Sequence, residues 1–265
     1  MSVSPLRRAV RRLRAAAFAA ATLLALGPAP AAAQAEAEGR PVVVVELFTS
    51  QGCSACPPAD TLLTELAQRP GIVALSLHVD YWDYLGWRDV FAHPMHTKRQ
   101  IAYRDANGAR SIYTPQMVVH GAVGVVGSRR DEVMSAIEAQ RAVPQAARLR
   151  LARDGDVLAL SLGPALPSAE APALTAAATP SEGAMLWLVT FRSPAAVTIE
   201  RGENAGRAIA YVNVVEGWMK LGRWDGLSEI NLAPPAPAPG NGVAVIVQAG
   251  ADGSGPILAA AALQP

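Results

Sequence analysis

Both cysteines of the 265-residue chain fall in TSQGCSACPP, residues 49–58, as Cys53 and Cys56. Three chemistries suit this spacing: a redox pair, a structural bridge, or half of a metal site. A bridge spanning two residues closes so small a loop that it removes little entropy from the unfolded chain, which makes it a poor staple for a protein of this size. Metal binding would recruit His78, His93, His96 or His120, of which only His93 and His96 are spaced as a close pair, too few for a structural zinc site. A reactive pair needs surroundings that favour thiolate, and those depend on the flanking elements.

The run VVVVELF, residues 42–48, is short, apolar and β-branched, as in a strand buried on both faces. PPADTLLTELAQ follows the cysteines with proline at the first helical positions, apolar residues at 62, 63 and 66, and a stop at Arg69-Pro70-Gly71. IVALSLHV is a second buried strand, so the segment predicts a βαβ unit with parallel strands. The cysteines therefore occupy a strand-to-helix junction, where backbone N–H groups and the positive end of the helix dipole stabilise a thiolate. Two intervening residues put the second sulfur within disulfide reach on the same first turn, so one thiol can attack and the other resolve.

Further on, an irregular loop gathers Tyr81, Trp82, Tyr84, Trp87 and Phe91 at the end of that second strand, where α/β sheets place ligands. Tyr81, Trp82 and Trp87 are candidates for a substrate platform, with packing as core the competing reading. A helix is predicted from about residue 94 to Asn107-Gly108, then a hairpin turning near His120-Gly121, then a closing helix over SRRDEVMSAIEAQ with Ser128 as its N-cap. Beyond about Val143 the pattern changes to alternating strands, two of them around Asp154-Gly155, separated by Ala/Pro-rich connections. That pattern predicts a separate all-β, sandwich-like domain over 146–265.

The order strand, CxxC, helix, strand, helix, then Thr114-Pro115 opening a hairpin and a last helix, resembles the thioredoxin fold over residues 41–142. The resemblance implies an α/β domain with a central mixed sheet flanked by helices. It further implies Cys53 as an exposed nucleophile, Cys56 as the buried resolving thiol, and a cis Pro115 that, with Thr114, meets the substrate backbone. Thioredoxins also carry a buried acid late in the first of these strands that relays a proton to the resolving cysteine. Glu46 is the matching acid, one residue upstream of the usual place. Ser54 and Ala55 between the cysteines supply no cation, and Gln51-Gly52 replace the usual preceding tryptophan.

At finer grain, ELFTSQGCSACPPAD, HVDYWDYLGW, YTPQMVVHG, RGENAGR and NVVEGW resemble the secreted proteins of the domain-of-unknown-function 1223 family. This second resemblance spans both halves of the chain. It implies the thioredoxin-like fold with a β-rich extension and no particular substrate.

Residues 1–33 carry five arginines and no acid, then an apolar Ala/Leu run and small-residue cleavage sites after Ala33 or Ala35, the pattern of a secretory signal peptide. Export to the periplasm or the extracellular space would put the cysteines where disulfides persist. Without the leader, 18 basic residues face 22 acidic ones, a net charge of −4, with no basic cluster to meet nucleic acid. No later segment reads as a membrane span. The combined expectation is an exported thiol–disulfide oxidoreductase acting on protein or peptide thiols, recycled by a separate redox partner and requiring no cofactor or metal. Its rivals are a binding module with a passive disulfide and a copper or zinc carrier.

Overall fold

The computed structural model describes residues 42–166, 183–250 and 252–265. The predicted signal peptide and the connection at 167–180 lie outside the described residues. The first strand, β1 (Val43–Thr49), is buried along its whole length, pairs in parallel with β2 (Ile72–His78), and is joined to it through helix α1 (Pro57–Ala67). Helix α2 (Pro94–Ala106) follows, then the antiparallel strands β3 (Gln116–Val119) and β4 (Val123–Val126) and helix α3 (Arg130–Arg141). The last of these begins without a side-chain cap at Arg129, rather than on the predicted Ser128.

Alternation along β1 divides the core. Val43, Val45 and Leu47 pack against Ala59, Leu62, Leu63, Val133 and Ile137 of α1 and α3. On the other face, Val44 and Phe48 pack with Tyr103 of α2. A side chain's position in this two-residue period thus decides whether it can meet the cysteine helix at all.

The second half begins with the hairpin of β5 (Ala147–Asp154) and β6 (Val157–Ala165), then β7 (Ala184–Arg192), β8 (Ala195–Thr198) and β9 (Ala208–Tyr211). It closes with β10 (Val214–Trp224), β11 (Ile230–Leu232), β12 (Asn241–Ala249) and β13 (Ile257–Leu263). These strands form no separate sandwich beside the first half. Four of them extend the first sheet into one of eight strands, ordered β13-β12-β7-β10-β2-β1-β3-β4. The described residues on the two sides of the predicted boundary near Val143 accordingly belong to one compact unit. The antiparallel β11-β6-β5 sheet lies over the far part of the large sheet, where Leu149, Leu151, Leu158 and Leu160 meet Leu186, Leu188, Val243 and Val245.

The joint is Asn213, which interrupts what the sequence presents as one long strand. Its backbone is left-handed (φ 46°), a conformation asparagine tolerates better than most residues. Its carbonyl accepts from Ser76 N–H and its side-chain Nδ2 donates to the Ala74 carbonyl, both at 2.9 Å, locking β10 onto the edge of β2. The sheet is coiled enough that Ile257 N–H at the start of β13 donates to the His120 carbonyl after β3, at 2.9 Å.

Candidate functional site

Cys53 and Cys56 form a disulfide with Cα atoms 5.4 Å apart. The loop before it tightens stepwise: Gly52 N–H donates to Ser50 Oγ, Cys53 N–H to the Ser50 carbonyl and Cys56 N–H to the Cys53 carbonyl. Cys56 is the N-cap of α1, and prolines fill the first two helical positions. Proline has no N–H, and the next two donors, those of Ala59 and Asp60, both go to the Cys56 carbonyl. The helix start thus offers the sulfurs fewer free N–H groups than a strand-to-helix junction ordinarily does.

Cys53 retains only 2% of its exposure and Cys56 none. The exposed nucleophile implied by the thioredoxin resemblance is therefore covered, and part of the cover comes from far along the chain. Asn204, in the loop after β8, donates from Nδ2 to the carbonyls of both Gln51 and Cys53, each at 2.9 Å. As sequence, Arg201-Gly202-Glu203-Asn204 and Arg207 make a polar loop that could close over the site or bond the two halves, with a solvated turn as the default; in the fold Asn204 is buried.

The aromatic loop supports the same segment. Trp87 Nε1 donates to Gln51 Oε1 at 2.8 Å, and the Gly52 Cα hydrogens face Trp82, whose Cβ would stand 3.1 Å from any added Cβ. Trp82 Nε1 donates to Thr114 Oγ1 at 2.8 Å, beside the Thr114–Pro115 peptide, which is cis. Contacts through Trp82 thereby connect Gly52 to Thr114. Tyr81 turns elsewhere: its hydroxyl donates to Gln100 Oε1 of α2, and burial pushes its pKa up to about 12.

Glu46 takes a place different from the one expected of a proton relay. It belongs to the face of β1 turned away from α1, where Arg99 holds it through Nε (2.5 Å) and Nη2 (2.9 Å), and Tyr103 donates its hydroxyl to the same carboxylate. Sheet alternation puts it across the sheet from the cysteine helix. The buried acid on the α1 side is Asp60, one helical turn after Cys56. Thr49 Oγ1 donates to Asp60 Oδ1 at 2.8 Å, and Oδ2 is buried with no hydrogen-bond partner among the described residues. Burial pushes the Asp60 pKa up to about 7, against the opposing pull of His78 and the Thr49 hydrogen bond.

His78, at the end of β2 beside Thr49, donates from Nδ1 to Asp89 Oδ2 at 2.7 Å. The same oxygen accepts Gln51 N–H at 2.8 Å, so one carboxylate holds both the histidine and the cysteine loop. Burial alone would raise the Asp89 pKa; His78 and the N–H groups of Gln51 and Phe91 outweigh it and hold the carboxyl below its ordinary value. Tyr211 packs edge-on to His78 with ring centroids 4.5 Å apart, and burial followed by the charges of Asp60 and Asp89 raises its pKa. Five buried polar atoms of this cluster have no partner among the described residues: Gln51 Nε2, Asp60 Oδ2, His78 Nε2, Asn204 Oδ1 and Tyr211 Oη. Native interiors leave few such atoms, and these five fall among the residues that pack around or hold the cysteine loop.

A family model described as a protein of unknown function, DUF1223, matches residues 44–248. The chain belongs to the DUF1223 family. Its match covers β1 through most of β12, so the family unit includes Asn204 and the joint at Asn213 as well as the CxxC loop. Among solved structures, the DUF1223 chain is similar to protein AGR_C_4864 from Agrobacterium tumefaciens, with 30% identity, a TM-score of 0.70, and coverage of 86% of this chain and 96% of that one. It also resembles HBP35 of Porphyromonas gingivalis in fold, with 13% identity, a TM-score of 0.53, and coverage of 85% and 75%. No curated protein matches.

The remaining histidines of this DUF1223 chain serve the scaffold. His93 caps α2, accepting Met95 N–H at Nδ1, while His96 Nδ1 bonds the His78 carbonyl and His120 Nδ1 accepts Val44 N–H. Burial lowers the pKa values of His96 and His120 to about 4. Among the described residues no group of three His, Cys, Asp or Glu side chains is placed to hold a metal ion. No helix among them is long and apolar enough to cross a membrane.

Proposed function

We propose that this protein is an exported thiol–disulfide oxidoreductase that acts on protein or peptide thiols through Cys53 and Cys56, on a thioredoxin-like arrangement of β1, α1, β2, β3, β4 and α3. The observation that carries this reading is Asp60: a carboxyl with its pKa near 7 and one free oxygen, buried one helical turn beyond the cysteine pair. A buried acid costs stability, and a proton-transfer role at a thiol explains its retention.

In the oxidising direction a substrate thiolate attacks Cys53 Sγ, the Cys53–Cys56 bond breaks, and Cys56 leaves with the electron pair and takes the Asp60 proton. A second substrate thiolate attacks the mixed disulfide and releases Cys53 as thiolate. Two substrate thiols become one disulfide, the protein gains two electrons, and the two thiol protons restore Asp60 and protonate Cys53. Reduction of a substrate disulfide is the same sequence in reverse, and an external dithiol or disulfide partner resets the pair. The cis Thr114–Pro115 peptide and Trp82 form the wall a substrate backbone would approach.

The burial of Cys53 under Asn204 favours a second reading, a binding module with a passive disulfide. Reduction of insulin disulfides by dithiothreitol separates the two. The oxidoreductase accelerates it and loses the effect on Cys53→Ser; a passive disulfide leaves the rate at background in both proteins.

A further inference from the structure

A pocket of about 190 Å³ opens on the face of the molecule reached by Glu46, between α2, strands β7 and β10, and the β12–β13 turn. It shares no lining residue with the cysteine cluster. Its floor is Arg99, whose guanidinium stacks on Trp218 with Cζ 4.0 Å from the ring centroid. The Nε and Nη2 edge of Arg99 is spent on Glu46, Tyr103 and Gln248. Nη1 makes no hydrogen bond to any described residue and is not among the buried unpartnered atoms, and Arg99 lines the pocket.

The wall repeats this excess of donors. Trp218 Nε1 is buried without a partner, and Lys98, exposed at the rim, has no ion pair among the described residues. Asp252 is the single acid of the lining; its Oδ1 is engaged by the N–H and hydroxyl of Ser254, and its charge also acts on Arg99. Glu46 neutralises one edge of Arg99, but a guanidinium presents donors on its other edge that suit a second carboxylate. The rest of the surface is aromatic and aliphatic, and a cavity of roughly 150 Å³ is large enough for a benzene ring.

We propose that this pocket is a ligand site, separate from the disulfide chemistry, for a small carboxylate on a single-ring or similarly compact apolar body. The carboxylate accepts from Arg99 Nη1 and pairs with Lys98, and the apolar body lies against Trp187 and Trp218. The donors are fixed by the Glu46–Arg99 pair, so little ordering accompanies binding.

Calorimetric titration of the whole protein with phenylacetate, and with 2-phenylethanol as its uncharged counterpart, tests the site. Phenylacetate is expected to bind one to one with Kd on the order of 1 mM or below, and 2-phenylethanol about tenfold or more weakly. Ala102→Phe, which fills the pocket from α2, should abolish binding. Lys98→Gln, at an exposed position, should weaken phenylacetate by about tenfold while leaving 2-phenylethanol unchanged. Absence of saturable binding, equal affinity for the two compounds, or affinity unaltered in Lys98→Gln would each overturn the proposal. Should Ala102→Phe fail to fold by circular dichroism, the Lys98→Gln comparison decides.

Discussion

Asp60 and Glu46 are both fully desolvated acids near the cysteine loop, and they differ in what surrounds them. Glu46 has a guanidinium and a phenol on its carboxylate, whereas Asp60 has one threonine hydroxyl and a free oxygen. Replacing Glu46 by Gln strands a buried Arg99 and should destabilise the protein by about 3–5 kcal/mol. Thermal unfolding measures that loss, and the exchange rate of the folded Glu46→Gln protein should match wild type. For Asp60 the sign is opposite. Its native pKa of about 7 exceeds the ordinary 3.8, so the native state holds a proton that the unfolded state releases, and this group removes stability as pH rises from about 4 to 7. Burial of neutral His96 and His120 works the other way over an overlapping range, which makes the difference between Asp60→Asn and wild type the informative quantity. That difference should grow in favour of Asp60→Asn from pH 4 to pH 8, reaching a few kcal/mol, about 1.4 for each unit of pKa displacement. Exchange by Asp60→Asn should slow by about a hundredfold at neutral pH. That the two cysteines lie within disulfide reach of each other was readable from their spacing alone. Asp60 was not, because the sequence places an acid in the first turn of many helices, where it serves the helix dipole; only burial distinguishes this one.

Among the elements, the strand-to-helix junction, the two parallel strands and the Thr-Pro hairpin were legible because proline, β-branched runs and helix stops act locally. The loop 200–207 was legible only as a polar segment that could close over the site, with a solvated turn as its default. Its residues are those of a turn, and what makes Asn204 part of the site is a pair of hydrogen bonds to carbonyls about 150 residues away in the chain. Asn204→Ala removes both and leaves the Gln51 carbonyl without a partner among the described residues, while the Cys53 carbonyl keeps the Cys56 N–H, which should cost about 1–3 kcal/mol. It also loosens the cover, so dithiothreitol should reduce the Cys53–Cys56 disulfide faster in Asn204→Ala than in wild type, as followed by thiol labelling. The two tryptophans proposed as a platform carry a structural duty as well, since Trp82 and Trp87 each hold a named atom of the cysteine and proline loops.

At the scale of the whole molecule, the chain divides differently from its composition. The change from mixed to alternating pattern near Val143 is real, but strand alternation records only that one face is buried, not which sheet the strand joins. Asn213 makes that choice by bending the chain onto the edge of β2. A fragment ending at Val143 would bare that edge and the apolar face of Val73, Leu75 and Leu77, which packs against Val189, Phe191 and Ile246. Such a fragment should lack a cooperative thermal transition by circular dichroism, where a self-contained domain would show one. The central claim is that the disulfide beneath Asn204 is chemically active, and its equilibrium with a graded glutathione or dithiothreitol couple tests it most directly. A midpoint above about −300 mV, displaced between wild type and Asp60→Asn in a pH-dependent way, is the expected result; a pair that stays oxidised at potentials below about −300 mV in both proteins would contradict it.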